Sequence, residues 1–151
     1  MRVVRLPVQE MTRERFAPYG VLLDSRGMVE LDLGGGQPAM TGTTSERRPF
    51  SFEFMARHRR TMQVFAPLVE SRSVICVAPP GGDVPAVEEI VAFRVSGRLP
   101  YAYHKGTWHT PPFALGEWSS YLVVDRAGTL DDDYELVDLR AAHDCVFEID
   151  V

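Results

Sequence analysis

Residues 51–58 read Ser51-Phe52-Glu53-Phe54-Met55-Ala56-Arg57-His58. In a strand, successive side chains point to opposite faces, so Phe52, Phe54, Ala56 and His58 share one face while Ser51, Glu53 and Arg57 share the other. Read this way, the stretch gathers its phenylalanines and sends His58 with them toward an interior. Working outward, five more short runs rich in Val, Ile, Phe and Tyr have the same character: 61–65, 74–78, 90–95, 119–124 and 146–151. Turn signals separate the runs, among them Gly34-Gly35-Gly36, Pro79-Pro80-Gly81-Gly82-Asp83, Gly97, Pro111-Pro112, Gly116 and Gly128. Many short strands with frequent turns specify an all-β sandwich or barrel. Helical patterns of about 10 to 15 residues do not alternate with the strands, which argues against a parallel α/β sheet. One short helix is expected over 12–17, with Thr12 as its N-cap and Pro18 and Gly20 closing it.

The chain has 151 residues, 45% hydrophobic and 25% charged, which predicts a single globular domain over 1–151. No apolar run approaches the roughly 18 residues of a membrane span, and 1–11 has no apolar core of a secretory signal, so neither is expected. Cys76 and Cys145 lie far apart in apolar runs and read as buried free thiols, which places the protein in a reducing cytoplasm. A formal net charge of −5 argues against a nucleic-acid partner. The local exception is Arg57, Arg59 and Arg60, preceded by Arg47 and Arg48. They read either as a solvated face or as a bidentate site for a small carboxylate. Asp131-Asp132-Asp133 reads as an exposed loop. The glycine triplet also reads as a loop, because the G-x-G-x-x-G spacing of a nucleotide site is missing.

The chemistry-bearing residues concentrate in two places. One is the wall carrying His58, with Gln63 spaced to return a second strand to it. The other is Tyr103-His104-Lys105-Gly106-Thr107-Trp108-His109-Thr110-Pro111-Pro112. Lys105 is the single lysine among 16 Lys and Arg residues. A desolvated amine can lose its proton where a guanidinium cannot, so Lys105 is a candidate general base; an exposed strand-end lysine is the plainer alternative. His58, Gln63 and His109, with His104 in reserve, form a possible divalent-metal set weakened by the neutral Gln63. The cofactor thus stays open between none and a divalent metal. Ser119 and Ser120 have no nucleophile elbow around them, and no carboxylate pairing suggests glycoside chemistry.

Three blocks of this sequence resemble the ureidoglycolate lyase family. They are Arg57-His58 followed by Gln63-Val64-Phe65-Ala66-Pro67-Leu68, then Tyr103-His104-Lys105-Gly106-Thr107-Trp108-His109-Thr110-Pro111, then Leu122-Val123-Val124-Asp125-Arg126-Ala127-Gly128 with the later Val137-Asp138-Leu139. Phe16-Ala17-Pro18-Tyr19-Gly20 also fits. The resemblance implies a cupin-type double-stranded β-barrel (jelly roll), a homodimer, and cleavage of ureidoglycolate to glyoxylate and urea. It implies that His58 and His109 stand at the two cupin histidine positions, with Gln63 at the usual glutamate position. On this reading Lys105 is the base and His104 or His109 its proton partner, while Arg57, His58 and Gln63 bind the small carboxylate substrate. The chain departs from the family at Ala56-Arg57-His58-Arg59, where Glu-Arg-His-Pro is usual, and in the glycine-rich segment 28–48. Those departures keep two other readings in play. One is a cupin-fold cyclase, dehydratase or isomerase on another metabolite; the other is a non-catalytic small-ligand-binding cupin.

Overall fold

The structure, a computed structural model, describes residues 1–70 and 72–151. The chain opens with β1 (Arg2–Glu10), a one-turn helix α1 (Arg13–Phe16), β2 (Gly20–Leu22) and β3 (Pro38–Glu46). Four strands follow, β4 (Ser51–Phe52), β5 (Phe54–Arg57), β6 (Gln63–Pro67) and β7 (Ser73–Ala78). Then come β8 (Val91–Val95), β9 (Tyr101–Tyr103), β10 (Trp108–His109), β11 (Phe113–Ala114) and β12 (Trp118–Arg126). The last part holds α2 (Thr129–Asp132), β13 (Glu135–Asp138), α3 (Leu139–His143) and β14 (Cys145–Asp150). Among the described residues these strands form a nine-stranded sheet, ordered β13-β5-β10-β7-β8-β1-β14-β4 with β11 on β7, and a five-stranded sheet ordered β2-β9-β6-β12-β3. The two sheets curl into a double-stranded barrel of jelly-roll type. Among the described residues no helix is long and apolar enough to cross a membrane.

The central strand β7 shows how the core is divided. Its six side chains are all buried, and their alternation sends Val74, Cys76 and Ala78 into one cluster with Met55, Trp108, Phe113 and Phe147. Ile75 and Val77 go to the other side, among Phe16, Phe65, Phe93, Tyr101, Tyr103 and Tyr121. This second cluster draws on both sheets and fills the space between them. Each fully buried side chain of this size contributes roughly 1.5–3 kcal/mol, so β7 anchors both halves of the core. Gly20 is required where β2 meets β9, because a Cβ there would stand 1.9 Å from the Ala102 carbonyl oxygen. Cys76 and Cys145 are free and buried.

Several expectations need correction. The stretch 51–58 is not one strand: a bend at Glu53 divides it, and β4 joins β14 while β5 joins β10 and β13. Phe52 therefore stacks on Phe147 at 5.1 Å instead of sharing the face of Phe54 and Ala56. The segment 28–48 contains the nine-residue strand β3, paired to β12 along its whole length. Strand β1 carries no clear strand pattern in the sequence, because its apolar positions are interrupted by Arg5 and Pro7. Pro7 marks the place where β1 passes from its parallel partner β14 to its parallel partner β8. Among the described residues two further α-helices join the expected one. Gly128, at φ 80°, turns the chain into α2, and the Asp138 side chain caps α3 by accepting from the Ala141 N–H. Asp131-Asp132-Asp133 is thus no free loop, and Asp133 is buried.

Candidate active site

A cavity of about 710 Å³ opens at one end of the barrel. Strand β3 contributes Thr41, Thr43 and Ser45, β5 contributes Phe54 and Ala56, and β6 contributes Gln63 and Phe65. Asp125 of β12 stands between β3 and β6, His58 and His109 stand on the side of Phe54 and Ala56, and α2 with the residues after it covers the mouth with Thr129, Leu130 and Tyr134. Sheet register explains the convergence. His109 lies opposite Ala56 where β10 meets β5, and His58 lies two residues beyond Ala56, on the same face. The imidazole planes run nearly parallel, with ring centroids 6.0 Å apart.

Hydrogen bonding fixes the tautomers of both rings. His109 Nδ1 lies 3.0 Å from the Thr107 carbonyl oxygen, which can only accept, so Nδ1 carries the proton and Nε2 the lone pair. His58 Nδ1 lies 2.9 Å from Thr129 Oγ1. The Thr129 hydroxyl spends its own hydrogen on Asp133 Oδ2 at 3.3 Å, so it accepts from His58 and leaves Nε2 of that ring as an acceptor too. Burial pushes the His109 pKa down to about 4, and its ring stacks on Tyr103 at 4.5 Å. Burial lowers His58 as well, but a backbone hydrogen bond and the charges of Asp133 and Asp125 act against that shift. The pocket therefore holds two neutral imidazoles at neutral pH, and His58 is the one of the two that has carboxylate charges acting for its protonated form.

The other expected site residues stand elsewhere. Arg57 is buried on the opposite face of β5, its guanidinium 4.2 Å from the centre of the Trp108 ring. It bonds to Glu135 Oε2 at 2.8 Å and to the carbonyls of Gly81 and Gly82, so it welds β5 to β13 and to the 79–83 turn. Arg48 lies over Phe113 and bonds the Pro111 and Pro112 carbonyls, Arg59 pairs with Glu135 and Asp83, and Arg60 pairs with Asp132. No arginine of that group lines the pocket. Lys105 Nζ pairs with Asp32 Oδ2 at 2.5 Å, outside the cavity, and His104 Nε2 is bonded to the Ala17 carbonyl at 3.0 Å. Of the six candidate residues, His58, Gln63 and His109 come together.

A divalent metal does not fit this donor set. Among the described residues no three His, Cys, Asp or Glu side chains gather at one point, and Gln63 donates its amide Nε2 to Asp125 Oδ2 at 2.8 Å. Asp125, Thr129 and Tyr134 escaped the sequence reading. A signal for Asp125 was available: along 119–125 the odd positions Ser119, Tyr121 and Val123 face inward, and Asp125 continues their parity into the pocket.

Comparison with known proteins points in one direction. The ureidoglycolate lyase family model matches residues 32–142. The ureidoglycolate lyase of Burkholderia mallei (strain NCTC 10229) is 35% identical over 143 residues, covering 82% of this chain and 83% of that protein. That of Pseudomonas syringae pv. syringae (strain B728a) is 31% identical over 144 residues, covering 82% and 84%. Among solved structures, Bacillus subtilis oxalate decarboxylase aligns with a TM-score of 0.47 at 16% identity, over 83% of this chain and 33% of that one.

Proposed function

The chain belongs to the ureidoglycolate lyase family, and from that premise we propose that it splits ureidoglycolate into glyoxylate and urea in the pocket of His58 and His109. The reaction moves one proton. A base takes it from the carbinol hydroxyl, the oxygen electrons form the aldehyde C=O, the C–N bond breaks, and the nitrogen of the departing urea receives a proton. His58 is the base of this proposal: it lines the cavity, its Nδ1 is engaged by Thr129, and the Asp125 and Asp133 carboxylates favour the imidazolium that results. The same imidazolium then returns the proton to nitrogen. His109 stays neutral, and its Nε2 lone pair helps to hold the substrate by accepting from an N–H, since the single hydroxyl hydrogen goes to His58. The carboxylate end meets the hydroxyls of Thr41, Thr43 and Ser45 on β3.

The observation that carries the proposal is the pair of imidazoles in one pocket, each held through Nδ1 by a hydrogen bond. Urea release from ureidoglycolate by the purified protein tests it. His58→Asn and His109→Asn should each keep the melting transition and lose about a hundredfold or more in kcat. Wild-type protein that is folded but releases no urea above the uncatalysed rate overturns the proposal. The same reading makes this a soluble cytoplasmic enzyme of purine catabolism acting as a homodimer, and its two free buried thiols support a reducing compartment.

A further inference from the structure

Two pocket side chains neither give nor take the proton. The register that pairs Val123 with Phe65 and Val124 with Val64 continues so that Asp125 of β12 stands beside Gln63 of β6. The bond from Gln63 Nε2 to Asp125 Oδ2 sets the amide one way round, nitrogen toward the carboxylate and oxygen away from it. Gln63 Oε1 is left as a buried acceptor with no hydrogen-bond donor, on a side chain 7% exposed. Native proteins rarely keep such a group without a use for it. Asp125 adds a second acceptor-only group, half-buried on the same wall. Gln63 and Asp125 therefore present acceptors to the cavity, and the Gln63 amide has spent its donor on Asp125.

A ligand edge made of N–H donors complements them. The part of ureidoglycolate that leaves as urea is such an edge, with NH and NH₂ groups flanking one carbonyl. A carboxylate or ester end would bring no N–H and would face the Asp125 charge. We infer that Gln63 and Asp125 form the subsite that selects the ureido end of the substrate, Asp125 holding the Gln63 amide in the orientation that accepts N–H. The inference rests on the ureidoglycolate reading of this pocket and adds which wall reads which end. It sets the carbinol between that wall and His58, whose imidazole the Asp125 charge reaches.

Calorimetric titration with two non-cleavable carboxylates tests it. Hydantoate keeps the ureido group, and N-acetylglycine replaces its terminal NH₂ with CH₃. Wild-type protein should bind hydantoate at least about tenfold more tightly, the discrimination expected when a buried polar group loses its partner. Asp125→Asn frees the Gln63 amide to turn either way, and the preference should fall below about threefold. Gln63→Met removes the acceptor while keeping the shape, and should do the same should Asp125→Asn fail to melt cooperatively. Equal binding of the two probes by wild type overturns the inference, as does failure to bind hydantoate at millimolar concentration or a preference that survives Gln63→Met. Urea release, measured on the same preparation, separates the two readings. Release with equal probe binding leaves the lyase standing without this subsite. A hydantoate preference with no release leaves the subsite standing without the lyase.

Discussion

Lys105 shows how a residue that is rare in the sequence can be occupied with structure. Its ammonium holds Asp32, whose carboxylate also accepts from the Gly34 N–H and whose backbone carbonyl accepts from Met62 N–H, so the ion pair pins the segment ahead of β3 against β6. Lys105→Arg keeps the charge and should leave kcat within about threefold of wild type, as partly exposed pairs contribute little. A loss of a hundredfold would return the amine to catalysis. His109 carries a pH dependence instead. Unfolded it takes a proton near 6.5 and folded only near 4, so between those values the unfolded chain binds the extra proton, and stability falls as the pH falls. The displacement corresponds to about 3 kcal/mol at most. Denaturant melts at pH 7 and pH 4 should show that loss in wild type and much less of it in His109→Gln. What the sequence revealed at this scale followed from parity and local blocks: His58, Gln63 and His109 could be read from alternation and resemblance. Arg57 could not, because the ring and carboxylate that claim it, Trp108 and Glu135, are brought to it by long-range pairing.

At the scale of elements, the cover of the pocket depends on one buried carboxylate. Asp133 accepts from the backbone N–H groups of Arg59 and Arg60 at 3.0 and 2.9 Å and from the Thr129 hydroxyl, fastening α2 to the end of β5 beside His58. Asp133→Ala leaves two amides without partners and should cost about 2–3 kcal/mol, seen as a lowered melting midpoint. It should also raise KM, because Thr129, Leu130 and Tyr134 lose their place over the cavity, and lower kcat, because His58 loses a carboxylate that favours its imidazolium. An unchanged KM would show that α2 does not act as the cover. A run of three aspartates carries no mark of which one turns inward, so the sequence read it as solvated. The strands that are short runs rich in Val, Ile and Phe were legible, as β6, β7 and β8 show. Those whose partners supply the order were not: β1 alternates poorly around Pro7, and β3 is mostly small and polar, its inward Thr41, Thr43 and Ser45 having no apolar signature.

For the whole molecule, the strand β3 leaves a question that its own sheet does not answer. On one side it bonds β12 from Pro38 to Glu46, and on the other it has no paired strand among the described residues. Its sequence, Pro38-Ala39-Met40-Thr41-Gly42-Thr43-Thr44-Ser45-Glu46, holds no charge before Glu46 and no proline after Pro38. Edges that stay solitary are guarded by Lys, Pro or bulges, and this one is not. Pairing with the β3 of a second copy about a two-fold axis would close it, with the same surface on both partners. The expected solution mass is then about 34 kDa, twice the 16.9 kDa of the chain, by light scattering at micromolar concentration. Gly42 offers a clean test, because a Cβ there meets nothing within 4 Å, so Gly42→Lys costs the folded chain little space while placing a charge on the edge. Combined with Met40→Lys on the exposed face, it should give a monomer with an unchanged circular dichroism spectrum. Since Thr41, Thr43 and Ser45 of the same strand line the pocket, that monomer should also show a higher KM for ureidoglycolate. A wild-type mass near 17 kDa would sink the dimer, and a double variant that stays dimeric would move the interface away from β3.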